Sequence, residues 1–288
     1  MGMGSTIKVA LDLYQRGFFS GIDSVLDMGS QELHIDYDSF EFWCRNAGLK
    51  LNENEFGNLR HFPGRPRCST RPFWNMLGVS RADRSDINRE EGTIYIDLNC
   101  PLEDKSLYGS YDLVTDFGNN EHPFNVAEAY RTMHRLCRKG GYLWIDQSVY
   151  KGNGFFNFDK SFFEAMCAAN GYSVIYSAYV VDNQSRQFHI ACREELLDAL
   201  DLSKISALGI SYILRKNSDT DFMFPYQDVR PLQTSSFERP HFYNISFIED
   251  KFSPARYYVP GNLDSVPFWT LFAHLSRRLL VKMKLRKA

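Results

Sequence analysis

YDLVTDFGNNEHPFNVAEAYRTMHRLCRKGGYLWIDQ, residues 111–147, decides the fold. Its opening, YDLVTDFG, is a short apolar run ending in acid and glycine, the pattern of a strand buried on both faces that feeds a loop. From Val126 the apolar residues Ala129, Tyr130, Met133, Leu136 and Cys137 recur every three or four positions and so share one helical face. Lys139, Gly140 and Gly141 supply cations and conformational freedom at the end of that helix, and YLWID resumes a buried strand. Strand, helix and strand form a βαβ unit, which makes the sheet parallel here and the crossover right-handed. Ligands of such sheets lie at the carboxyl ends of the strands, which directs attention to residues 116–124 and 146–153.

Outward from this unit, residues 22–28 (IDSVLDM) read as an earlier strand running into Gly29, Ser30 and Gln31, a turn in which glycine lets backbone approach a nucleotide. Residues 34–70 are irregular, with a helix at 40–47 and a proline- and arginine-rich loop at 62–72, and form an insertion or lid. Thr70 or Ser69 caps a helix over 71–78. The next strand is 93–98 (TIYIDL), placing Asp97 at its carboxyl end, where a carboxylate accepts from both ribose hydroxyls. A helix at 158–171, strands at 172–181 and 207–215 and a helix at 193–202 complete the domain. Beyond residue 217 an extended tail leads to PFWTLFAHLSRRLLVKMKLRKA, residues 267–288, an apolar helical stripe whose only charges are basic.

The chain has 288 residues, 44% of them hydrophobic, enough for one main domain with elaborations, here 1–216 with a C-terminal extension over 217–288. A net charge of −2 argues against a surface built for nucleic acid. The six cysteines show no CxxC spacing and read as reduced thiols of a cytoplasmic protein. No apolar run reaches the length of a membrane span, and no His, Asp and Glu spacing reads as a metal site.

On these residues the chain resembles class I S-adenosylmethionine-dependent methyltransferases, and within them an uncharacterised bacterial methyltransferase-like group. VLDMGSQ (25–31), YIDLNCPL (95–102), YDLVTDFGNNEHPFN (111–125) and HRLCRKGGYLWID (134–146) carry the resemblance, with NGFFNFDKSFFEAMCAANGY (153–172) after them. It implies a doubly wound, Rossmann-like α/β fold with seven strands, the last antiparallel, and an insertion after the first strand. It further implies S-adenosyl-L-methionine as cofactor, with Asp27, Gly29 and Gln31 in the first turn, Asp97 on the ribose, Leu98 and Asn99 beside the adenine, and Asp116 and Phe117 toward the methionine end. The acceptor is then a hydroxyl of a small molecule or glycan. Deprotonation falls to His122, with Glu121 as orienter or alternative base, because a neutral imidazole accepts a proton near pH 7 and an unperturbed carboxylate is too weak a base. The bland reading of the same four residues, 121–124, is a cap on the helix that follows.

Two other readings compete. An NAD(P)-dependent oxidoreductase shares the βαβ logic, but its pyrophosphate needs the later glycines that Ser30, Gln31 and Leu33 replace. A non-catalytic scaffold keeps the fold without the chemistry. The basic C-terminal segment suits either peripheral contact with an anionic membrane or packing on the domain or a second subunit of a homo-oligomer.

Overall fold

The structure is a computed structural model and describes residues 2–182, 187–198 and 200–226. In chain order its elements are β1 (Gly2–Met3), α1 (Thr6–Gln15), β2 (Ser24–Met28), β3 (Glu32–Leu33), α2 (Tyr37–Asn46), α3 (Glu53–Phe56), α4 (Arg71–Met76), β4 (Arg81–Asp86), β5 (Ile94–Tyr95), β6 (Tyr111–Phe117), α5 (Val126–Leu136), β7 (Cys137–Tyr150), α6 (Lys160–Asn170), β8 (Ser173–Asp182), β9 (Gln187–Ala191), α7 (Glu194–Asp198) and β10 (Ala207–Arg215). One eight-stranded sheet runs β5-β4-β2-β6-β7-β10-β8-β9. The pairs from β5 through β7 are parallel, and β10 is antiparallel to both β7 and β8.

The βαβ unit forms as its pattern requires. All seven residues of β6 are buried. Asn125 caps α5 by accepting from the Glu128 N–H at 3.4 Å, and Ala129, Tyr130, Met133 and Leu136 face the core. The glycines behave differently from expectation: α5 ends at Leu136 and β7 starts at once, so Gly140 and Gly141 lie within a strand. Gly140 takes φ +78°, and a Cβ on Gly141 would stand 2.7 Å from the Asp112 carbonyl oxygen. They allow β7 to bulge against β6, where the register slips between Tyr111 and Leu113.

Alternation along the strands splits the core in two. Val25, Leu113 and Trp144 point to one face, beneath α1, α2 and α4. Leu26, Val114, Leu143 and Ile145 point to the other, beneath α5 and α6. Residues 34–70 join the first core through Phe40, Cys44, Phe56 and Leu59, with the Phe40 ring 5.1 Å from Phe56 and 5.7 Å from Phe73.

Two strand assignments are corrected. Arg81–Asp86, passed over in the sequence, is the strand beside β2, and the expected strand at 93–98 shrinks to Ile94–Tyr95 at the sheet edge. Residues 87–93 make this parallel connection, far fewer than a crossover helix needs. They suffice because β5 pairs only with the last two residues of β4, Ser85 and Asp86. The sheet also has eight strands where seven were expected, since Gln187–Ala191 folds back on β8 as a new edge.

His134 is packed: its ring bonds the Tyr172 hydroxyl at 2.5 Å and the Thr220 carbonyl at 2.9 Å, and burial lowers its pKa to about 4. The adjoining Lys216 ammonium donates to the carbonyls of His134 and Cys137, so the chain beyond β10 is strapped across the end of α5. The basic segment at 267–288 lies outside the described residues. Among the described residues no helix is long and apolar enough to cross a membrane, no His, Cys, Asp or Glu group could hold a metal, and the cysteines are unpaired.

Candidate functional site

Along the carboxyl edge of the sheet, each strand end contributes a polar turn. After β2 the chain reverses at Gly29, whose φ of +82° favours glycine, and the Gln31 N–H closes the turn on the Gly29 carbonyl at 3.0 Å. The Ser30 N–H donates to Asp86 Oδ2 at 2.9 Å, and Asn88 donates its own N–H to Asp86 Oδ1 and its side-chain amide to the Ser30 hydroxyl. The first turn is therefore fastened to the end of the neighbouring strand. Asp86 keeps acceptor capacity on both oxygens, because a carboxylate accepts about four hydrogen bonds.

After β6, Asp116 organises the loop from inside. Its Oδ1 accepts from the N–H groups of Asn119 and Asn120 at 2.9 and 3.0 Å, and its Oδ2 from the Gln147 amide at 2.6 Å. Burial raises its pKa to about 7, against the pull of those donors. Glu121, its side chain 3% exposed, accepts from the Ser148 N–H at 3.1 Å, whereas the adjacent His122 side chain is 39% exposed and its Nε2 lies 3.9 Å from Glu121 Oε1. The Glu121 carbonyl accepts from the N–H groups of Phe155 and Phe156, which locks the loop after β7 against it. Gly154 makes that contact feasible, since a Cβ there would lie 2.5 Å from the Glu121 carbonyl oxygen.

No protein-family model and no curated protein matches the sequence. Among solved structures the chain is similar to a SAM-dependent methyltransferase from Archaeoglobus fulgidus, at 13% identity and a TM-score of 0.37 over 74% of this chain and 94% of that one. It is similar also to the O-MT segment of StiE, at 14% and 0.32 over 74% and 76%, and to the cyclase SpnF, at 13% and 0.36 over 73% and 81%. Parallel strands in the order β5-β4-β2-β6-β7, with the antiparallel β10 inserted before β8, complete the picture. The topology is that of a doubly wound α/β sheet. At such identities and TM-scores the likeness assigns no role, and the roles at the site rest on this chain's own side chains.

Several of the residues expected at the cofactor are bonded within the protein. Asp27 is buried, and its carboxylate accepts from the hydroxyls of Thr70 and Thr115 and from the Trp74 indole at 3.1 Å; burial raises its pKa. It ties β2 to α4 and β6. Asp116 faces the loop backbone. Phe117 is core, its ring 5.6 Å from Trp144 and edge-on to it. Leu98 packs partly buried on the second core, and Asn99 is exposed, its Oδ1 accepting from the Asn125 N–H at 3.0 Å. Asp97 closes a turn on the Asn99 N–H at 2.9 Å beyond the edge strand. Gln31 is buried and donates to the Met28 carbonyl at 2.8 Å, leaving its Oε1 unpartnered.

Asp86 was missed because RADRSD, with four charges in six residues, has the look of a loop. The charges are tolerated because the strand has little cover: Asp83 accepts from the Tyr111 hydroxyl at 3.0 Å, and the Arg81 guanidinium lies over the Tyr111 ring. A cleft of 180 Å³ opens beside it, between Asp27, residues 69–71, residues 82–84 and the loop at 91–92. That is below the size usual for a whole small-molecule site.

Asn120 is fully buried, and neither Oδ1 nor Nδ2 has a partner. Replacing it with leucine, of similar volume, is expected to raise the stability of the unliganded protein by about 1–3 kcal/mol, because two unsatisfied groups are removed. Urea denaturation measures this, and a loss of stability would mean that the amide is bonded.

Proposed function

We propose that this chain binds S-adenosyl-L-methionine across the carboxyl ends of β5, β4, β2 and β6 and transfers its methyl group to a hydroxyl acceptor. Asp86 carries the reading. It ends the strand adjacent to β2 and is hydrogen-bonded to the very turn that Gly29 opens. Neighbouring strands are about 5 Å apart, so a ribose lying by the Gly29 turn meets Asp86 one strand away. Asp97 is two strands away, roughly 10 Å by the same spacing, a reach that suits the adenine and its exocyclic amine, with Leu98 offering an apolar wall. The role first given to Asp97 thus passes to Asp86. Gly29 lets the backbone approach, and the unpartnered atoms of Asn120 and Gln31 Oε1 fit a ligand that carries its own polar groups.

When bound, the cofactor supplies a methyl group on a sulfonium whose thioether leaves readily, so the protein has to position the acceptor and take its proton. His122 takes that part, being exposed enough to meet an acceptor and next to the buried carboxylate of Glu121. Glu121 is closed off and orients. Calorimetry of the full chain with S-adenosylhomocysteine and, in parallel, NADH tests the reading: binding of the former only is expected, and binding of NADH alone would make the protein an oxidoreductase. Asp86→Ala is expected to weaken S-adenosylhomocysteine more than tenfold, the scale of about 1.5–3 kcal/mol for hydrogen bonds to a charged acceptor, with Asp97→Ala smaller. The reverse order would return the ribose to Asp97.

A further inference from the structure

Phe124 and Phe155 are the most exposed phenylalanines described, at 80% and 74%. They come from different loops, after β6 and after β7, yet their rings meet edge to face at 6.3 Å. Each is fixed at its base. Phe124 precedes Asn125, the cap of α5, which is also held by Asn99. The Phe155 N–H donates to the Glu121 carbonyl at 2.8 Å, where Gly154 permits the close approach. Two large apolar rings are thus held in water on rigid supports, and water gives no reason to keep them there.

The geometry points to an acceptor-recognition clamp: Phe124 and Phe155 seat a flat aromatic ring that presents its hydroxyl to His122, making the acceptor a phenol rather than a saccharide. This rests on the methyl-transfer reading of the same site. His122 lies two residues from Phe124, and Glu121, bonded to Phe155, is its neighbour in sequence, so the rings and the base are held by the same pair of loops. An aromatic guest extends the edge-to-face packing that the pair already makes. A saccharide presents a hydroxyl on nearly every carbon and needs polar partners, but Asn99 and Asn125 bond each other's loops, and Asn157 Oδ1 accepts from the Gly152 N–H at 3.2 Å. A phenol also titrates near 10, within easier reach of an imidazole base than an aliphatic alcohol.

The test uses the full chain with 2-naphthol as probe, followed by its fluorescence, with methyl α-glucoside as competitor. Binding is read with and without saturating S-adenosylhomocysteine, in the wild type and in Phe124→Ala/Phe155→Ala. Both side chains are exposed, so the variant's melting temperature should match the wild type's. At least tenfold weaker naphthol binding in the variant, with S-adenosylhomocysteine affinity unchanged and no competition by the glucoside, is expected. Absent naphthol binding, equal binding by both proteins, or displacement by the glucoside would overturn the clamp. Failure of the methyl-transfer reading appears separately, as absent S-adenosylhomocysteine binding while naphthol still distinguishes the two proteins.

Discussion

Asp116→Asn is expected to fold and to gain on the wild type as pH rises, by about 2–3 kcal/mol between pH 5 and pH 8. Burial raises the Asp116 pKa from its usual 3.8 to about 7. The folded chain therefore holds a proton that the unfolded chain releases. Such a group contributes stability that is fully present below the unfolded pKa and is lost as pH rises through the folded one, here over the window from about 4 to about 7. Each pKa unit is worth about 1.4 kcal/mol, which sets the scale. Asparagine has no proton to lose. Its Oδ1 can still accept from the N–H groups of Asn119 and Asn120, and its amide can donate to Gln147 Oε1, an atom otherwise without a partner. Asp146, whose pKa burial raises to about 6, and His134 and His189, lowered to about 4 and about 3, titrate in both proteins and cancel in the difference. Urea denaturation of the pair at pH 5, 6.5 and 8 gives that difference directly. Parallel stability curves would mean that the carboxyl is ionised in the folded protein throughout.

What the sequence disclosed follows the burial of each stretch. Residues 111–147 were legible because β6 is buried on both faces and α5 carries a single apolar stripe, so the strand–helix–strand pattern stands out. The second strand was illegible for the opposite reason. Within Arg81–Asp86 only Ala82 and Ser85 are buried, and the charges are paired by partners that local pattern does not reveal: the Tyr111 hydroxyl for Asp83 and the turn at Ser30 for Asp86. Passing over that strand left Asp97 as the strand-end carboxylate on that side of β2. Asp27 and Asp116, assigned to the ligand from the sequence, are bonded within the protein. Position along a strand can be read from period, whereas the direction of a carboxylate depends on Thr70, Trp74 and Gln147, which are distant in sequence.

His122→Ala is expected to lower turnover about 100-fold, the ordinary scale for a general base, while S-adenosylhomocysteine binds as before. The imidazole is the titratable group at this mouth that combines exposure with a carboxylate neighbour: His122 Nε2 lies 3.9 Å from Glu121 Oε1, and Glu121 is itself anchored by the Ser148 N–H. At that distance the two side chains share no hydrogen bond, so Glu121 does not fix the tautomer of the imidazole directly. Glu121→Gln should therefore reduce kcat less than loss of the imidazole does, because it leaves the base itself in place. The competing structural role makes a different forecast. The His122 backbone N–H donates to the Asn119 carbonyl at 3.1 Å, a contact that alanine preserves, so a residue acting only as part of the loop would leave kcat nearly untouched. Steady-state kinetics of both variants with saturating acceptor, across pH 5.5 to 9, separates the two. Retention of kcat in His122→Ala would assign the proton transfer to solvent and leave His122 as part of the loop.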